Sequence, residues 1–190
     1  MQSTATKNME QALIYPQVPS GEEDKVNAIF ENVEKHLGFV PAGLRLLSMS
    51  PPLLETMMGN IAYFNMGGTQ LSPILTAMIR YQISSNAGCT FCIDLNEGFL
   101  TNLGLDLDEI RASHNKPEAA PLNEKDKSLL LFAVKSIHNP NDIDQSEMTK
   151  MKNQGWEDRE IFDAVAQAAS NKAFNYILKT FNVSHQGIFS

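Results

Sequence analysis

Residues 71–102 read LSPILTAMIRYQISSNAGCTFCIDLNEGFLTN, and the fold of the chain turns on how this stretch divides. Ser72-Pro73 has the order of a helix cap followed by proline in the first turn. Ile74, Leu75, Met78, Ile79 and Ile83 then recur at the spacing of a buried helical stripe, which predicts a helix to about Asn86. Gly88 interrupts the pattern, and a second helix is predicted from about Cys89 to Asn102, ending before Gly104. The two are expected to pack antiparallel. The only cysteines of the chain, Cys89 and Cys92, thus stand at a predicted helix N-terminus as Gly88-Cys89-Thr90-Phe91-Cys92.

Helical signals continue on both sides. Val26, Ile29, Phe30, Val33 and Leu37 form a stripe over Glu22 to Leu37, stopped by Gly38. Ser50-Pro51-Pro52 repeats the cap-proline order before an apolar run, Leu53 to Met66, that ends at Gly67-Gly68. Asp106 with Glu109, and Asp144 with Glu147, have capping-box spacing. Further helices are expected at about Glu124 to Ile137, Asp144 to Asn153 and Glu157 to Phe181, with a loop over His114 to Pro121 and Trp156 anchoring the turn after Gly155. No β-branched run alternates strictly, so the reading is an all-α multi-helix bundle. Residues 1–21 are polar, lack a stripe and read as an N-terminal arm suited to wrapping a neighbour; residues 22–190 read as one domain whose motif region is 38–103.

The chain of 190 residues is long enough for a substantial core. Its net charge of −7, with no Lys/Arg cluster, argues against a general nucleic-acid binder. Met1 to Gln17 lacks the apolar core of a signal peptide, and no stretch approaches the roughly 20 apolar residues of a membrane span. A cytoplasmic location is the default expectation. Met49, Met57, Met58, Met66 and Met78 cluster before the cysteines, as core filling or as the lining of a pocket or subunit contact.

A Cys-x-x-Cys opening a helix sets the sulfurs one turn apart, with Cα atoms roughly 5–6 Å from each other, within bridging range. The pair can then cycle between dithiol and disulfide, and the helix start favours thiolate, most of all at Cys89, nearest the free amides. In a reducing compartment such a pair is more often redox or metal chemistry than a permanent staple. Zinc would need about four ligands, whereas His36, His114, His138 and His185 lie far off in sequence without ligand spacing, so no metal is expected. Two other readings stay open: buried cysteines packing as small hydrophobes, and a structural disulfide, weakened by the short loop it would close. No cofactor motif is present.

Gly38-Phe39-Val40-Pro41, Leu44-Arg45-Leu46-Leu47-Ser48, Ser50-Pro51-Pro52-Leu53-Leu54, Leu71-Ser72-Pro73 and Asn86-Ala87-Gly88-Cys89-Thr90-Phe91-Cys92 occur in an order that resembles the alkylhydroperoxidase D and carboxymuconolactone decarboxylase superfamily. Glu124 to Leu130 and Gly155 to Ile161 resemble the C-terminal half of its peroxidase-related branch, so the likeness spans roughly residues 22 to 183. The resemblance implies a homo-oligomer, trimer or hexamer, with the Leu53 to Met66 helix a candidate contact. It also implies a proton relay: a glutamate twelve residues before the first cysteine and a histidine four after the second, serving Cys92 as the activated sulfur. Those positions hold Ala77 and Asn96, neither of which titrates. Asn96 shares a helix face with Cys92 and is able to hydrogen-bond a thiolate or a water. Arg80, Tyr81, Asp94 and Glu97 lie nearby. Their default reading is surface or packing, and Arg80 would favour thiolate where it reaches the sulfurs.

The leading expectation is a thiol-disulfide oxidoreductase of peroxidase type, with catalytic Cys89 and Cys92, an altered relay and hence weak alkylhydroperoxidase activity. Its substrate would be a hydroperoxide or a protein disulfide, and a partner protein would reduce it. The alternatives are a carboxymuconolactone decarboxylase-like enzyme, against which the cysteine pair counts, and a non-catalytic oligomer that keeps the fold.

Overall fold

The computed structural model describes residues 12–183, among which there are nine α-helices and no strand. They are α1 (Glu23–Leu37), α2 (Ala42–Leu47), α3 (Pro51–Asn65), α4 (Pro73–Ala87), α5 (Thr90–Asn102), α6 (Leu107–Ala112), α7 (Glu124–His138), α8 (Gln145–Asn153) and α9 (Asp158–Thr180), with 3-10 turns at Pro117–Ala119 and Pro140–Asp142. The all-α bundle expected from the sequence is what the chain forms. Of the expected arm, residues 1–11 lie outside those described. Ala12 is buried beside the cysteines, and the Leu13 N–H donates to Phe181 O. Residues 184–190, with His185, also lie outside.

Most helix starts follow the sequence signals. Ser72 Oγ accepts from the Leu75 amide at 3.1 Å, Asp106 from the amides of Asp108 and Glu109, and Asp144 from that of Glu147. Ser50 differs. It occupies the N-cap of α3, but its side chain makes no cap bond, because Pro51 and Pro52 carry no N–H and the Leu53 amide bonds the Ser50 carbonyl instead. Helix α2 has no counterpart in the sequence reading, since six residues are too few to display a period. It is buried almost throughout and approaches α9 so closely that a Cβ at Gly43 would stand 2.8 Å from the Phe174 ring.

Helix α4 is the centre of the bundle, packed on α3, α5, α7 and α9. Leu75, Met78, Ile79 and Ile83 of the predicted stripe are buried, but so are Thr76, Gln82, Ser84 and Ser85 on its other faces. A helix enclosed on every side must satisfy those polar groups internally. Asn171 Nδ2 donates to Arg80 O at 3.1 Å and to Ser84 Oγ at 3.0 Å, while Ser84 Oγ donates to Asn175 Oδ1 at 3.3 Å. The pairing of 80 with 171 and 84 with 175 shows that α9 runs parallel to α4. Trp156, also buried, donates to Ser128 Oγ and carries the Lys125 ammonium on its ring, holding the turn before α9.

Between α4 and α5 lie only Gly88 and Cys89. Gly88 is left-handed at φ 62°, its N–H donates to Ser85 O at 3.0 Å and that of Cys89 to Ser84 O at 3.0 Å, the two bonds of a Schellman termination. A methyl group at residue 88 would meet nothing closer than Lys179 Nζ at 3.8 Å, so the requirement for glycine there is conformational and not steric. Gly88→Ala should therefore lower unfolding stability by about 1–2 kcal/mol, read as a lower urea midpoint with an unchanged denaturant slope.

Candidate active site: a dithiol between two cavities

Cys89 is the N-cap residue of α5, in extended backbone, and Cys92 is the third residue of the helix. Both are free thiols, 1% and 3% exposed, set in a cluster with Ala42, Leu46, Phe91 and Leu178. They open in different directions. Cys92 lines an apolar cavity of about 400 Å³ between α1, α3, α4, α5 and α9, whereas Cys89 lines a cleft of about 170 Å³ with Gly88, Thr90, Lys179, Asn182 and Val183.

The two sulfurs are electrostatically unlike. A hydrogen bond from the Cys92 thiol holds the Cys89 thiol below the ordinary cysteine value, aided by the Cys92 amide and the Lys179 ammonium, against burial and Asp94. Donating that hydrogen bond pushes Cys92 well up, as do burial and the charge on Cys89, while Ser84 and Arg80 pull it down. Two adjacent buried charges would repel, so Cys89 is the sulfur that ionises first and Cys92 the one that holds its proton longer.

Ala77 and Asn96 both line the large cavity beside Cys92. Both ends of Asn96 are engaged: its Nδ2 donates to Cys92 O at 2.8 Å and its Oδ1 accepts from Arg80 Nε at 2.8 Å. Arg80 departs from the surface-or-packing default. Its guanidinium faces the cavity, donates from Nη1 to Asn65 Oδ1 at 3.3 Å and lies 5.7 Å from the Phe99 ring centroid. Burial lowers its pKa to about 10, which leaves it cationic at neutral pH, and the charge of Cys92 opposes the shift.

The remaining neighbours point elsewhere. Tyr81 is fully buried in the main core, 6.3 Å from the His114 ring, and its hydroxyl is pushed up to about 12 by burial and then by Glu97. Glu97 accepts from Arg111 at 2.8 Å, and Asp94 acts on Cys89 only as an unfavourable charge. Ser84 and Lys179 did not emerge from the sequence. Lys179 lies ninety residues beyond Cys89 and only the return of α9 brings it near, while Ser84 shares the i, i+4 face of Arg80. The methionines divide: Met57, Met58 and Met66 line the cavity, Met78 is in the core, and Met49 packs on the cysteine cluster. Among the described residues no group of His, Cys, Asp or Glu could hold a metal, and no helix is long and apolar enough to cross a membrane.

No family model and no curated protein matches the sequence. Solved structures do match. A peroxidase-related protein from Silicibacter sp. TM1040 superposes with a TM-score of 0.85 at 20% identity, covering 95% of this chain and 97% of that one. A peroxidase-related protein with an alkylhydroperoxidase AhpD core, from Ralstonia eutropha JMP134, gives 0.79 at 18% identity over 94% of each chain. The debrominase Bmp8 gives 0.71 at 17% identity over 92% of each. The chain therefore has the all-helical fold of alkylhydroperoxidase D-like, peroxidase-related proteins.

Proposed function

We propose that the chain is a thiol-disulfide oxidoreductase that reduces an organic hydroperoxide, with Cys92 as the attacking sulfur and Cys89 as proton carrier and resolving sulfur. The observation that carries this reading is the division of the pair: one sulfur faces a cavity of organic-ligand size, and the other, hydrogen-bonded to it, is the easier to ionise. The thiol proton of Cys92 passes along that bond to Cys89. The Cys92 thiolate, favoured by Arg80 and Ser84, attacks the terminal oxygen; the O–O bond breaks, a sulfenic acid forms, and the alkoxide leaves as alcohol with the proton from Cys89. The Cys89 thiolate then attacks the sulfenic sulfur, the disulfide forms, and hydroxide departs. One hydroperoxide is reduced to alcohol and hydroxide as two sulfurs are oxidised.

This route supplies the proton transfers that Ala77 and Asn96 cannot make, through a weaker shuttle. General acid-base groups contribute about 10²- to 10⁴-fold, so turnover is expected to be slow. A partner protein regenerates the dithiol, approaching by way of the Cys89 cleft. A second reading keeps the dithiol and changes the electrophile. Bmp8 is a debrominase crystallised with 2,3,4-tribromopyrrole, and Phe64, Phe91, Phe99 and Phe174 give this cavity aromatic walls suited to a halogenated ring.

Thiolate absorbance at 240 nm should rise in two steps with pH, one below and one above the ordinary cysteine value. Cys92→Ala should move the lower step upward, because Cys89 loses its strongest stabilising donor.

One equivalent of cumene hydroperoxide should remove both thiols and release one cumyl alcohol. Cys89→Ser should stop at a sulfenic acid on Cys92, trapped by dimedone and located by mass spectrometry, whereas a trap on Cys89 in Cys92→Ser alone would reverse the roles. Equal thiol loss with a bromopyrrole, and none with peroxide, would favour the second reading.

A further inference from the structure

The cavity beside Cys92 is walled by apolar side chains, with Met57, Met58 and Phe64 among them, and yet it receives a half-buried arginine. A cation turned into an apolar cavity is ordinarily paired with an anion. Among the described residues Arg80 takes part in no ion pair; its acceptors are two neutral amides, Asn96 and Asn65. A guanidinium has five N–H groups, and these two bonds leave three without an acceptor among the described residues. The remaining candidate anion is Cys92, the sulfur of the pair that is harder to ionise. On α9, Gln167 lines the same cavity, is 4% exposed, and its Oε1 has no hydrogen-bond partner. The register that sets Asn171 beside Arg80 places Gln167, one turn earlier, beside Thr76 and Ala77.

We infer that this cavity takes an amphipathic monoanion: a carboxylate held by the Arg80 guanidinium next to Cys92, with an apolar tail among Met57, Met58 and Phe64. The inference rests on the redox reading for the identity of the substrate, an apolar hydroperoxide whose carboxylate lies near its reducible group. Gln167 Oε1 then accepts from the hydroperoxide O–H. The binding step needs neither thiol. An Arg–carboxylate pair in a low-dielectric pocket is stronger than the same contact at a surface, and the planar guanidinium fits the two oxygens. Asn65 and Asn96 position the fork by fixing two of its nitrogens.

Octanoate and octanamide, equal in chain length and differing in charge, test this in the reduced wild-type protein by isothermal titration calorimetry and by protection of Cys92 against iodoacetamide. Octanoate should bind at least tenfold more tightly and protect correspondingly better. Arg80→Met should bring the two ligands to within about twofold; Arg80→Lys should retain part of the preference. Equal affinity of the two ligands for the wild type, or a preference that survives Arg80→Met, overturns the inference. Should Arg80→Met fail to fold, the wild-type comparison and Arg80→Lys decide the matter. Octanoate selectivity without thiol oxidation by any hydroperoxide would leave the anion site standing and remove the redox reading. Thiol oxidation without selectivity would do the reverse.

Discussion

The left-handed turn at Gly88 is the constraint from which the rest of the site follows. Because its Schellman bonds end α4 at once, Cys89 both closes one helix termination and caps the next helix. No slack separates the two helices. α5 must fold back along α4, and the Arg80–Asn96 bond, joining residues eight positions either side of Gly88, shows the antiparallel course that results. The same turn fixes both sulfurs at the first turn of α5, where unpaired amides favour negative charge. The α4–α5 turn itself sets Ser84 by Cys92, and the asparagine and serine contacts between α4 and α9 then close the far side, bringing Lys179 to Cys89.

Each sulfur therefore has its own fixed cation, Lys179 for Cys89 and Arg80 for Cys92, and one proton is shared between them. Fixed charges bias where that proton rests; they do not carry it. In a site with a titratable carboxylate and imidazole the same task would be done by groups that exchange protons near neutrality. Here the group hydrogen-bonded to Cys92 that is able to do so is the other thiol. A buried dithiol is well suited to that duty, since the hydrogen bond that lowers one sulfur raises the other and keeps the pair from ionising twice.

Much of this was legible in the sequence where the signal was local. Ser72 and Asp144 cap the helices they precede, glycine breaks fall where helices end, and the spacing of the cysteines placed them together without any tertiary information. The failures have physical causes. Helix α2 was missed because a six-residue segment buried on all sides displays no period, and the Ser50 cap failed because two prolines removed its donors. The sequence offers Arg80 both as a surface or packing residue and as a cation for the sulfurs, and does not decide between them, because the cavity wall comes from α1, α3 and α9, which no local pattern connects to α4. Lys179 was invisible for the same reason.

Ala77, Arg80 and Asn96 are best understood together. A glutamate at position 77 would stand one helical turn from Arg80 and neutralise it, and an imidazolium at position 96 would repel the guanidinium that Asn96 now accepts from. With alanine and asparagine in those places the cation remains uncompensated, the cavity is deeper by the missing carboxylate side chain, and Asn96 supplies an acceptor without a charge. The absence of titratable side chains at positions 77 and 96 and the presence of a half-buried arginine are thus one electrostatic arrangement. What such a site gives up in acid-base catalysis it regains as affinity for negative charge beside Cys92.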